Sequence, residues 1–305
     1  MFNYRDFLGI SELAEQADMG HGVRVAVLDT GVPVSDSVHV SVAENFTNDD
    51  THDTGHATFI GSILFGDGDV RGICPKSVSY FGKVFKTSSA TPEAIAEAIN
   101  YAAGMWNADI INLSLGFSSS NECNKALRNA CEFAILRGTA IVASSGNDGG
   151  KTMWPAALNG VISVGSSDGK TREEFSNKGK IDVVAPGKDL VGLGLDGSLV
   201  KKSGTSFSTA IITGLLALLL AKKRKTKPSA KARDVKKDLL DMCVDIGAWG
   251  FDKDTGYGFP FKDIIPKSFS TSFIGLSLRS IFVIIENTVK KALSALKPRR
   301  QKSYE

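Results

Sequence analysis

Six short apolar runs constrain the fold of this chain more than any other feature: "VRVAVLD" (23–29), "VSYFGKVF" (78–85), "DIINLSL" (109–115), "TAIVAS" (139–144), "GVISVG" (160–165) and "IDVVAP" (181–186). They are rich in Val and Ile, continuous rather than alternating, and bounded by small or polar residues. A strand apolar on both faces belongs in a parallel sheet covered on both sides. Helical segments separate several of them. "TPEAIAEAINYAAGM" (91–105) opens on Thr91 as cap, followed by Pro92 and Glu93, a strong helix start. "NECNKALRNACEFAILRG" (121–138) runs to a Gly stop. "SFSTAIITGLLALLLAKK" (206–223) is apolar on most sides and is expected to cross the core. Strands alternating with helices predict a doubly wound α/β domain, and 305 residues suffice for a large core.

The bulk composition excludes several classes. The net charge of +3 gives no electrostatic case for a nucleic-acid partner. The first twenty residues lack a basic start and an apolar stretch, so no signal peptide is read there. The longest uninterrupted apolar run, "IITGLLALLLA" (211–221), is short for a membrane span. Cys74, Cys123, Cys131 and Cys243 are scattered with no CxxC pair and read as buried free thiols of a reducing compartment. The expected location is the cytoplasm.

In open parallel sheets, ligand chemistry gathers at the carboxyl ends of the strands, and three motifs fall there. "VAVLDTGV" puts Asp29 at the end of a buried strand, where a carboxylate needs hydrogen bonds to offset its desolvation. "DTGHATFIGSIL" puts His56 at the start of a short helix. "KSGTSFSTAIITG" puts Ser206 at the entry of the apolar helix, where free N–H groups can receive an oxyanion. Each alone reads as well as a cap or a packing residue. The order Asp, His, Ser, each in a Gly-flanked motif, is one chain order of the Ser-His-Asp triad.

Together the motifs resemble those of the subtilisin-like serine proteases. "VAVLDTGV" is similar to the family's Asp motif, "GHATFIGS" to its His motif (usually GHGTHVAG), and "SGTSFSTAIITG" to its Ser motif (usually GTSMAxPHVAG). Between them, "GICPKSVSYFGKVF" (72–85), "INLSLG" (111–116), "ASSGNDGG" (143–150), "WPAALNGVISVGSSD", "FSNKGKIDVVAPG" and "GYGFPFKDII" also match, so the resemblance covers residues 9–265. It implies a three-layer α/β fold with a central, mostly parallel sheet flanked by helices. It implies a serine endopeptidase with Asp29, His56 and Ser206 as triad and Asn147 as oxyanion-hole donor. Ser114, Leu115 and Gly116 would pair with the substrate backbone, and Ser144, Ser145 and Gly146 would line the opposite wall of the first specificity pocket. Small residues there suggest a pocket open to a sizeable side chain. About eight residues precede the matched region and Met1 is present, so a member of the intracellular type, without a prodomain, is expected.

The sequence departs from the family pattern at Ala57, Phe59, Gly61-Ser62, Phe207 and Ile211-Ile212. Phe59 stands where relatives carry a second histidine and is expected to pack beneath the helix. No cofactor is required and no metal site is predicted. Asp67 and Asp69, in "FGDGDVRG" (65–72), could be considered as calcium ligands, but a Gly-Asp surface turn is preferred. The spacing of His52 and His56 also admits a metal-dependent hydrolase, which would leave Ser206 without a role. Two further alternatives keep the fold: a peptide macrocyclase or acyl transferase using the same acyl-enzyme, and a catalytically inactive binding protein.

A peptidase domain is expected over 1–265, followed by a tail, 266–305, with eight Lys/Arg against two Glu. In "LRSIFVIIENTVKKALSAL" (278–296) apolar residues recur at helical spacing. Two readings of the tail stand side by side: packing back on the domain, or docking to a partner protein or an anionic membrane surface. The basic run "KKRKTKPSAKARDVKK" (222–237) reads as a solvated helix end, a turn and the exposed face of the next helix.

Overall fold

A computed structural model describes residues 1–49, 53–87, 89–118 and 122–264. Among them, seven parallel strands form the central sheet: β1 (Arg24–Asp29), β2 (Val42–Asn45), β3 (Val78–Lys83), β4 (Ile110–Leu113), β5 (Ala140–Ser144), β6 (Ile162–Ser166) and β7 (Val183–Ala185). Their order is β7-β6-β5-β4-β1-β3-β2. The chain starts in the middle at β1, builds out to one side through β3 and β2, and crosses to β4 on the other. Asp29 therefore ends the strand at the topological switch point, where such sheets open a crevice.

Six strands match the six apolar runs to within a few residues. The seventh, β2, is exposed at every position. It is an edge strand, placed by its register on β3 (Val42 opposite Tyr80, Asn45 opposite Lys83) and not by apolar pattern.

Three layers follow from side-chain alternation along the strands. Ala26, Leu28, Ile111, Leu113, Ile141 and Ala143 face one way and pack on α2 (Pro92–Gly104) and α3 (Lys125–Leu136). The other face carries α4 (Thr205–Arg224), where Thr213 donates to Asn112 Oδ1 of β4 (3.0 Å). Each fully buried Leu or Ile in such a layer contributes about 1.5–3 kcal/mol. Helix starts follow local chemistry. Thr91 Oγ1 accepts from Ala94 N (3.2 Å) with Pro92 next in line. The cap of α3 is Asn124, whose Oδ1 accepts from Ala126 N and Leu127 N, later than the expected start at 121.

α4 is long and apolar enough to cross a membrane, yet it lies buried inside the domain, touching β4, β5 and β6. Its last residue corrects one expectation. Arg224 is no solvated helix end: it pairs with buried Asp109 at 2.6 Å. After a turn, α5 (Lys236–Asp241) continues the basic stretch. The four cysteines are unpaired, and Cys243 is only half-buried. His52, Asn121 and the tail 266–305 lie outside the described residues.

Candidate active site

Asp29, at the carboxyl end of β1, is fully buried. Its Oδ1 accepts the Thr30 backbone N–H (2.7 Å) and the Nδ1–H of His56 (2.7 Å). A carboxylate only accepts, so this contact fixes the proton of neutral His56 on Nδ1 and leaves Nε2 as a base. Asp29 Oδ2 has no hydrogen-bond partner among the described residues, so the imidazole and the Thr30 N–H share Oδ1.

His56 opens α1 (His56–Phe65). The residue before it, Gly55, takes φ +85°, a left-handed turn that glycine adopts without a steric penalty. Gly55 offers no side-chain cap. Asp53 supplies one: its Oδ1 accepts from Ala57 N (3.2 Å), and its Oδ2 from Thr58 N (2.8 Å) and Thr58 Oγ1 (2.7 Å). The Thr30 hydroxyl donates to Asp53 Oδ1 at 2.5 Å, which ties the Asp29 turn to the His56 helix. Sequence reasoning missed Asp53. The signal was its place three residues before a helix-opening histidine, where a carboxylate can satisfy orphan N–H groups.

Burial pushes the His56 pKa down, but the charge of Asp29 and its hydrogen bond push it up, against a smaller downward pull from Lys202. The balance leaves His56 above the ordinary imidazole value.

Ser206 is the second residue of α4 and is nearly buried. Its hydroxyl donates to the Ser114 carbonyl (3.1 Å), just past the end of β4, and the Ser114 hydroxyl donates back to the Ser206 carbonyl (2.8 Å). The next residue, Phe207, puts its ring 5.6 Å from the His56 ring and 4.5 Å from Phe59. Two departures from the family motifs, Phe59 and Phe207, therefore pack on each other. Phe59 is fully buried beneath the helix, against Gly192 of the hairpin β8 (Leu190–Leu193) and β9 (Leu199–Lys202). Lys202 of that hairpin donates to the Gly55 carbonyl (3.1 Å), and its ammonium lies 5.5 Å from the Phe59 ring centroid.

Asn147 follows β5 and is exposed. Its Oδ1 accepts from Thr205 N (2.8 Å) and Thr205 Oγ1 (2.9 Å), which turns its Nδ2 donor away from Thr205. The substrate-binding candidates fall on two walls. Ser114, Leu115 and Gly116 run past the end of β4; Leu115 O accepts from Ser144 Oγ (3.2 Å) and Gly116 is exposed. On the facing wall Ser144 and Gly146 are buried, and Ser145 is wholly enclosed, its N–H on Val164 O and its carbonyl accepting from Met153 N. The side chain of Met153 approaches both walls. Cβ atoms built on Gly116 and Gly146 would lie 2.9 Å and 3.0 Å from the Met153 side chain.

Among the described residues, no group of three His, Cys, Asp or Glu is placed to hold a metal ion. Asp67 pairs with Arg71 through an antiparallel backbone β-bridge.

The sequence and the fold are similar to those of known proteins. A model of the subtilase family of peptidases matches residues 20–258. The major intracellular serine protease of Bacillus subtilis (strain 168) is 34% identical over 224 residues, covering 66% of this chain and 69% of that protein. Subtilisin DY of Bacillus licheniformis is 30% identical over 247 residues, covering 76% of this chain and 87% of its own. The minor extracellular protease Epr of Bacillus subtilis is 28% identical over 250 residues and 78% of this chain, which spans only 38% of that longer relative. Among solved structures, the patellamide maturation protease PatA superposes with TM-score 0.71 at 27% identity, over 82% of this chain and 97% of that one. The prenylagaramide maturation protease PagA does so with TM-score 0.70 at 29% identity, over 78% and 90%.

Proposed function

The chain belongs to the subtilase family, and on that premise we propose that it is a serine endopeptidase working through Asp29, His56 and Ser206. The observation that carries the reading is the 2.7 Å contact of His56 Nδ1 with buried Asp29, with Phe207, the neighbour of Ser206 at the start of α4, packed 5.6 Å from the imidazole ring. The Ser206 hydroxyl turns from the Ser114 carbonyl to His56 Nε2 when substrate binds; catalytic hydrogen bonds commonly form only in the substrate complex. Ser206 Oγ attacks the peptide carbonyl while its proton passes to Nε2. Asp29 holds the tautomer and stabilises the imidazolium. The oxyanion is received by the Ser206 backbone N–H and Asn147 Nδ2, which Thr205 orients from behind. His56 then gives its proton to the leaving amine, and water releases the acyl group by the reverse sequence.

Similarity to two maturation proteases supports processing of a precursor peptide at a defined site over general turnover. The test is labelling with an active-site fluorophosphonate. Wild type is expected to be modified at Ser206 and Ser206→Ala not at all; an unlabelled, folded wild type overturns the reading. Product masses then separate hydrolysis, which adds water, from acyl transfer or macrocyclisation, which does not.

A further inference from the structure

The two loops that follow β4 and β5 both touch the start of the Ser206 helix. Ser114 exchanges hydrogen bonds with Ser206, and Gly146 N–H donates to Thr205 Oγ1 (3.3 Å). The gap between these loops therefore opens beside the nucleophile. A side chain carried next to the attacked carbonyl must enter that gap or be turned away from it.

The gap already holds a side chain. A Cβ on Gly116 would lie 2.9 Å from Met153 Cβ and 3.4 Å from its Sδ, and one on Gly146 would meet the Asn177 amide first and lie 3.0 Å from Met153 Cγ. One methionine thus meets the Cα faces of both walls. Its backbone cannot withdraw easily. Met153 N–H donates to Ser145 O (2.9 Å), Trp154 N–H donates to Phe117 O (2.9 Å), and Phe117 N–H donates to Trp154 O (2.8 Å). The segment is stitched to the β5 wall at one residue and to the β4 wall at the next. Met153 itself is only half-buried, so part of its side chain is left on the open side of the gap, where substrate would arrive.

We propose that Met153 fills the first specificity pocket, and that the enzyme cuts after small residues (Gly, Ala or Ser) and rejects aromatic and long aliphatic ones. The assignment rests on the proposed function. It names the substrate class through packing: a large group entering the gap must displace a side chain held between two walls, and close-packed sites resist added volume. A single methylene misfit in an apolar pocket changes kcat/KM by about 10–200-fold, and an aromatic ring is a larger misfit than that.

The test uses the full chain and a peptide series varied only at the residue before the scissile bond. Wild type is expected to cleave the Ala peptide at least about tenfold more efficiently than the Phe peptide. Met153→Gly and Met153→Ala, checked for an unchanged thermal transition, are expected to reverse or erase that ratio, while Met153→Leu keeps it. Should Met153→Gly not fold, the wild-type ratio and the Ala and Leu variants still decide. Wild type labelled at Ser206 but cleaving Phe and Ala peptides equally overturns the Met153 assignment alone. An unlabelled wild type that leaves every peptide uncut overturns the catalytic reading and the assignment with it.

Discussion

Ser114 and Ser206 are joined by two opposed hydrogen bonds, each hydroxyl donating to the other's backbone carbonyl, at 2.8 and 3.1 Å. The Ser114 end continues inward. Asn112 Nδ2 donates to Ser114 Oγ (2.9 Å) and Thr213 Oγ1 donates to Asn112 Oδ1 (3.0 Å), so a buried polar chain ties β4 to the helix that carries the nucleophile. Ser114→Ala leaves the Ser206 carbonyl and the Asn112 amide short of a partner, at an expected cost of about 1–3 kcal/mol, read from urea denaturation. Ser206→Ala keeps the Ser114 donor and the rest of the chain. It is expected to change stability by no more than about 1 kcal/mol while lowering kcat by about 10⁴-fold or more.

Asn147 is held from behind by Thr205, so the two residues should fail by different amounts. Asn147→Ala removes the side-chain oxyanion donor and is expected to lower kcat about 10²–10³-fold with KM little changed, the figure for such a donor in a related subtilisin. Thr205→Val deletes the hydroxyl's contacts with Asn147 Oδ1 and with the Gly146 backbone, and spares the backbone N–H on Asn147 Oδ1. A loss of about tenfold, one ordinary hydrogen bond, is expected. Steady-state kinetics on both variants checks the ranking.

The sign of the His56 shift sets the pH profile. Burial lowers the pKa and Asp29 raises it, with a net rise above the ordinary 6.5. The base must be neutral, so kcat/KM should climb with pH through a midpoint above that value. Lys202→Met removes a cation that pulls the pKa down, and the acid limb should move to still higher pH. A raised histidine pKa contributes stability below the unfolded-state value, and this is lost as pH rises through the folded-state value. The ion pair therefore adds least to stability in the range where the enzyme works.

Phe59 and Phe207, two departures from the motifs the chain resembles, pack on each other at 4.5 Å. Phe59→Leu keeps an apolar group over Gly192 and is expected to cost under about 1.5 kcal/mol and to leave kcat within a few-fold. Phe59→Ala opens a cavity beside His56 and is expected to cost about 3–5 kcal/mol. Thermal denaturation with a peptide assay checks both. A large loss of activity in folded Phe59→Leu would give the ring a role beyond packing.

What could be read from the sequence was what local chemistry dictates. Six strands announced themselves because both faces are buried, and the proposed triad of Asp29, His56 and Ser206 was picked out because each lies in a short Gly-flanked motif. β2 was silent because all four of its residues are exposed and only pairing with β3 places it. Arg224 was missed for a related reason, since its partner Asp109 is distant in sequence, whereas Asp53 left a local capping signal and only its tie to Thr30 was out of reach. The proposed role of Met153 bears most on the specificity pocket. The residues lining its walls are small, and that pattern alone suggests space; the group that takes up the space comes from a different loop.

Asp109, just ahead of β4, holds the opposite end of the catalytic helix. Its buried carboxylate takes two hydrogen bonds from Arg224, the last residue of α4 (2.6 and 3.0 Å), and one each from the Arg24 backbone N–H (3.0 Å), Nε (3.4 Å) and Nη2 (3.3 Å). Burial alone would raise the Asp109 pKa, but the bonds to Arg224 and Arg24 outweigh it and hold the carboxyl below its ordinary value. Breaking a buried ion pair costs about 3–5 kcal/mol. The two Arg side chains are 20% and 36% exposed, so water recovers part of that, and Asp109→Asn is expected to cost about 2–3 kcal/mol at pH 7. A depressed carboxylate pKa gives stability that is present above the unfolded-state value and lost as pH falls through the folded-state value. The urea midpoints of wild type and Asp109→Asn should accordingly converge as the pH is lowered into that range. Ser206 lies near the other end of a 20-residue helix, about 30 Å away. At temperatures where the variant is folded, its kcat should match that of wild type, and a lowered kcat there would mean that strain at Arg224 reaches the nucleophile through α4.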